Sequence, residues 1–138
     1  ETNLQSRKLA RQQLEAGGAV IVFPSGGIAT TPKLFSRHAV EEPWAPLVGQ
    51  LVRRTKASVL PVYFDGQNSQ LFQCASHVSY AMRVALIFHE VRRRIGTRLD
   101  MVIGETMDFA DLATHLPPQN LAYHLQHHVY DLARFLPR

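Results

Sequence analysis

The chain has 138 residues, of which 46% are hydrophobic and 19% charged, and its formal net charge is +4. These values fit one globular domain with an ordinary core and exclude a disordered chain. The single cysteine, Cys74, excludes an internal disulfide and suits a reducing compartment, and no apolar run approaches the roughly 18 residues of a spanning helix.

Residues 3–16 predict a helix, capped by Thr2 or Asn3, with a partial stripe of Leu4, Leu9 and Leu14. Gly17-Gly18 stop it. Glu1 opens straight into helix-like sequence, so a piece of a longer protein is expected. Such a piece should carry an apolar face that a partner chain, detergent or lipid must cover.

The run AVIVF, residues 19–23, predicts a strand covered on both faces. Residues 24–43 are rich in Gly, Thr, Ser and Pro and predict a long irregular loop of the kind that is usually functional or mobile. Residues 45–56 predict a helix with Leu47, Leu51 and Val52 inward. SVLPVYF, residues 58–64, predicts a second strand, with Pro61 pointing to an edge or a bulge. Strand, helix and strand in that order predict a right-handed parallel βαβ unit.

Asp65-Gly66 turn the chain, and Asn68 or Ser69 can cap a short helix to about Ala75. Residues 79–95 predict a long helix, strongly apolar through Ala81, Val84, Ala85, Phe88 and Val91, and ended by Gly96. Residues 98–104 predict a third strand, and Asp108 the cap of a short helix. Pro117-Pro118 start a last helix in which Leu121, Leu125, Val129, Leu132 and Leu136 recur every three or four residues. The fold class expected from these elements is α/β, a mostly parallel sheet flanked by helices.

The chemistry centres on Ser25-Gly26-Gly27 behind the first predicted strand. A nucleophile elbow, G-x-S-x-G, fits at Gly27 but has Phe23 where its first glycine belongs. Neither nucleotide-binding glycine pattern is present, although adjacent glycines can offer backbone N–H groups to an anion, with Thr30, Thr31 and Lys33 nearby. The third reading is a tight corner that needs positive φ.

His124 and His128 share a helix face beside His127, but H-E-x-x-H is absent, so a polar face is expected there and no metal. His89-Glu90 reads as structural, and Cys74 as an inert buried thiol. Two basic clusters, Arg53/Arg54/Lys56 and Arg92/Arg93/Arg94, suit anionic lipid or an acidic carrier protein, or are solvated helix ends. No module or aromatic stripe for nucleic acid accompanies them.

GGAVIVFPSGGIATTP resembles the third conserved block of the glycerolipid and lysophospholipid acyltransferases, a strand ending in Phe-Pro-Glu-Gly. ASVLPVYFDGQNSQLFQ resembles the next block, and the basic helix followed by VIGETM is most similar to the bacterial hemolysin-like branch, which includes O-acyltransferases of ornithine lipids. The resemblance covers nearly the whole chain and implies that residues 1–138 are the C-terminal portion of one acyltransferase domain.

It implies transfer of a fatty acyl group from an acyl carrier protein or coenzyme A thioester to a lysolipid hydroxyl, without a cofactor. Phe23, Pro24, Ser25, Gly26, Gly27 and Thr30 would then bind the acceptor, and the two basic clusters would meet the carrier or an anionic membrane surface. A cytoplasmic protein peripheral at the inner membrane is implied. The family's catalytic His-x-x-x-x-Asp is missing: His38 leads to Pro43, His77 to Met82 and His124 to Val129. That motif is expected upstream of Glu1, so these residues alone should bind and not turn over. Ser25 stands where many relatives have Glu, and Ile28 near where an Arg often reads phosphate, which points to a less phosphorylated acceptor. The alternative class is a non-catalytic membrane-surface or protein-interaction domain.

Overall fold

The computed structural model describes residues 2–33, 36 and 39–137. His38, one of the histidines tested for the His-x-x-x-x-Asp spacing, lies outside the described residues. Six helices carry most of the described structure: α1 (Thr2–Glu15), α2 (Leu47–Thr55), α3 (Gln70–Val78), α4 (Tyr80–Arg94), α5 (Phe109–Leu112) and α6 (Pro118–Asp131). Two short strands, β1 (Val62–Phe64) and β2 (Met101–Ile103), complete it with 3₁₀ turns at Ala113–His115 and Leu132–Phe135.

The expected parallel α/β sheet is not what forms. Among the described residues the sheet has two strands, and β1 pairs antiparallel with β2, Tyr63 opposite Val102. The ladder continues past both ends: Gly104 N–H donates to the Pro61 carbonyl at 2.9 Å and Asp65 N–H to that of Asp100 at 2.8 Å. Pro61 sits where only its carbonyl is needed, which reconciles a proline with this ladder.

AVIVF is not a strand. Among the described residues its backbone has no recorded ladder partner, and a strand exists only where N–H and C=O groups find one. Its burial alternates: Val20 and Val22 are half-buried while Ile21 and Phe23 are exposed. The parallel βαβ unit is lost with it.

The core forms where α2, α5 and α6 meet. Trp44, Val48, Val52, Leu112, Leu121, Ala122 and Leu125 are buried there, with Met107, Phe109, Leu116 and Val129 packed against them. Leu121 and Leu125 lie one turn apart on α6, so the leucine spacing read from the sequence faces this core. Gly49 lets α2 approach α6 closely, because a Cβ there would strike the Pro118 carbonyl. Asp108 precedes α5 as expected, but its carboxylate makes no cap hydrogen bond and instead accepts from Ser58 Oγ at 2.9 Å.

The α3–α4 hairpin is a second packing unit. Ser69 caps α3, its Oγ accepting from Phe72 N–H at 3.2 Å. Phe72 and Gln73 of α3 are fully buried, and Phe72 shares the groove wall with Ile87 of α4. The side of α4 turned inward carries Arg83, Ile87, Glu90 and Arg94. Ala81, Val84, Ala85, Phe88 and Val91 are exposed, Phe88 to 84%. An apolar stripe at helical spacing ordinarily faces a core, and here it faces outward.

Candidate functional site

The serine-glycine segment is held over the α3–α4 hairpin by two clamps. Thr31 N–H donates to Gln73 Oε1 at 2.9 Å, and Thr31 Oγ1 lies 3.1 Å from His77 Nε2. At the far end of the loop, Ala39 N–H donates to Gln67 Oε1 at 2.8 Å. Thr30 and Val40 bridge the loop's two arms through paired backbone hydrogen bonds of 3.3 and 2.9 Å.

Within the turn, Gly26 has φ +65°, a left-handed conformation that favours glycine. Gly27 is different. Its φ is not in that region, and a Cβ built on it meets nothing within 4 Å. The corner therefore needs one glycine, and the second leaves open space beside the backbone. Ser25 Oγ donates to the Gly27 carbonyl at 3.1 Å, so its hydroxyl serves its own turn. Among the described residues no histidine is hydrogen-bonded to Ser25, and the nucleophile reading lacks its base.

A groove of about 440 Å³ opens where this segment meets the hairpin. Ile28, Phe72, Ile87, Val91 and Ile95 give it apolar walls, and Asn68, Glu90 and Arg94 its polar groups. Of the loop, Ile28 lines the groove; the binding residues expected from sequence, Phe23 to Gly27 and Thr30, do not. Phe23 is exposed, and the Pro24 carbonyl accepts from Ala45 N–H at 3.4 Å.

Glu90 is the buried carboxylate of the site. It accepts from Ser69 N–H at 2.8 Å and from Ser69 Oγ, and Arg93 lies 3.6 Å away. Burial pushes its pKa up, but the two hydrogen bonds from Ser69 and the Arg93 charge outweigh burial and hold it below its ordinary value. Arg94 donates to the Gln67 carbonyl at 2.9 Å and turns into the groove, away from its exposed neighbours Arg92 and Arg93. The basic cluster expected to act together is thus divided between groove and surface. Arg53 and Arg54 end α2, and Lys56 caps it with φ 55°; all three are exposed and outside the groove.

Sequence inspection missed Asn68, Phe72, Gln73 and Ile87. Glu90 left one trace: it is the sole carboxylate between residues 66 and 99. Gln73 Nε2 is buried without a partner, while its Oε1 is taken by Thr31.

The histidines of α6, with His115 of the preceding 3₁₀ turn, form a separate group. His115 and His124 stack with centroids 3.6 Å apart and planes within 10°, and Tyr123 meets His127 edge-on at 4.0 Å. Stacked rings place their nitrogens in separate layers, and among the described residues no group of three metal-ligating side chains converges. Cys74 is half-buried, against Leu71, Val78 and Met82. No helix of the described residues is long and apolar enough to cross a membrane. No protein-family model, curated protein or solved structure matches the chain.

Proposed function

We propose that the chain forms the acceptor-binding part of an O-acyltransferase. The enzyme moves a fatty acyl group from an acyl carrier protein or coenzyme A thioester to a lysolipid hydroxyl, with lyso-ornithine lipid as the acceptor. The observation that carries this reading is the amphipathic groove beside the serine-glycine segment. Its apolar walls suit an alkyl chain, and Arg94 and Asn68 offer donors to a headgroup carboxylate. Ser25 and Ile28, in place of the Glu and Arg of the resembled family, favour an acceptor without glycerol phosphate.

In the transfer, the acceptor oxygen attacks the thioester carbonyl, a C–O bond forms, the C–S bond breaks, and the thiol leaves. A histidine base oriented by aspartate takes the hydroxyl proton and returns it to the thiolate. No histidine of this sequence has aspartate five positions on, so the base is taken from outside these 138 residues. The Asn68 amide and the Arg94 guanidinium are the donors the groove offers to the acceptor or to the developing oxyanion.

The test is thiol release by the full-length protein from acyl-carrier-protein and coenzyme A thioesters, with several lysolipid acceptors. Acceptor-dependent release supports transfer. Release unaffected by acceptor but abolished by Ser25→Ala identifies an esterase instead. The outward apolar stripe of α4 favours a second reading, a membrane-surface domain without chemistry. It predicts lipid binding with no thiol release.

A further inference from the structure

The outward face of the α3–α4 hairpin belongs to no core. Phe88, Val91 and Ile95 are all more than half exposed along one side of α4, and Leu71, Val78 and Met82 form a second exposed apolar group where α4 meets α3. Contiguous apolar patches of this kind mark interaction sites. Charge indicates what the face meets. Arg92 and Arg93 are exposed at its end. Glu90, the one carboxylate between residues 66 and 99, is buried and held by Ser69, so the face offers no free negative charge.

From this we infer that the α3–α4 hairpin docks on an anionic bilayer. Phe88, Val91 and their neighbours enter the acyl boundary, while Arg92 and Arg93 lie among the headgroups. A second copy of the chain suits the face less well. A symmetric contact must be self-complementary, and this face brings Arg92 and Arg93 with no exposed carboxylate of its own to set opposite them. The inference rests on the lipid acceptor of the proposed function but not on its transfer step. It places the bilayer beside the groove, because Val91 and Ile95 border both. A lysolipid then passes from the membrane into the groove without crossing water.

The experiment is co-sedimentation of the 138-residue chain with vesicles of phosphatidylglycerol and phosphatidylcholine in equal parts, or of phosphatidylcholine alone. Binding is expected on the mixed vesicles and should weaken on the neutral ones and at high salt. Phe88→Ser should lower the partition coefficient about tenfold, the loss expected for one buried aromatic side chain. Arg92→Gln with Arg93→Gln should lower it by roughly tenfold or more. Arg53→Gln with Arg54→Gln should leave it unchanged. Equal binding by the wild type and Phe88→Ser would overturn the inference, as would loss confined to the α2 variant.

A second readout is independent of affinity. A polarity-sensitive dye is placed by Phe88→Cys in a Cys74→Ser background, with Gln12→Cys on exposed α1 as the control. Mixed vesicles should shift the dye at position 88 to the blue and leave the control unmoved. A dye already shifted without lipid, on a chain that elutes as a dimer, would show that a second copy covers the face and overturn the inference. Vesicle binding by the chain, with no thiol release by the full-length protein, refutes the transfer reading and leaves the docking face intact. Release that Phe88→Ser does not alter, with vesicle binding also unaltered, refutes the docking face alone.

Discussion

Thr31 and Gln73, 42 residues apart in sequence, are joined by a buried hydrogen bond of 2.9 Å from the Thr31 N–H to the Gln73 Oε1. Both residues are almost wholly buried, so the bond fixes the serine-glycine segment against α3. Removing the acceptor leaves a buried N–H unpaired. Gln73→Leu should therefore cost about 1–3 kcal/mol in urea unfolding. It should also speed proteolysis within residues 24–33.

The two glycines of the turn should separate in the same way. Gly26→Ala forces an alanine to φ +65° and should destabilise by roughly 1 kcal/mol. Gly27→Ala meets no atom within 4 Å and should leave stability unchanged or slightly raised. Gly27 stands outside the groove, so the same substitution should leave the KM for the lysolipid unchanged. Thermal unfolding and acceptor titration of the two variants check both expectations.

The helices were legible in the sequence because their signals are local. Ser69 caps α3, Gly96 follows α4, and the leucines of α6 face the core. The sheet was not legible, because pairing depends on a partner that no local pattern names. AVIVF has strand-forming residues and no ladder, whereas VYF finds MVI across the whole α3–α4 hairpin. The outward turn of α4 was hidden for another reason. A helix apolar on most sides has no pattern to say which side is inward, and the deciding contact, Glu90 with Ser69, spans 21 residues. The groove depends on the same contact and on Thr31 with Gln73, neither of which periodicity can reveal.

Glu90 should shape the acid limb of the stability curve. Its folded pKa lies below its unfolded one, so its contribution is full above the ordinary glutamate value and is lost as pH falls through the folded value. Glu90→Gln keeps an acceptor for Ser69 but removes the charge. It should lower stability at neutral pH by about 1–2 kcal/mol and flatten the decline below pH of roughly 4.5. Chemical unfolding across pH for the two proteins measures this.

His124 should act at higher pH. Burial lowers its pKa, and the positive charges of His115, His128 and His127 lower it further. A depressed folded value means that its contribution is complete above the ordinary histidine pKa and is lost as pH falls through the folded value. His124 should thus titrate below the ordinary value of about 6.5 in an NMR pH series, and His115→Ala should bring it closer to that value.

Acyl transfer to a lysolipid is tested most directly by thiol release from a fatty acyl thioester by the full-length protein, with and without lyso-ornithine lipid. The expected result is release that requires the acceptor, yields the acylated lipid in equal amount, and weakens several-fold in acceptor KM with Arg94→Gln. No acceptor-dependent release from either carrier, by a folded protein that binds the lysolipid, would contradict it.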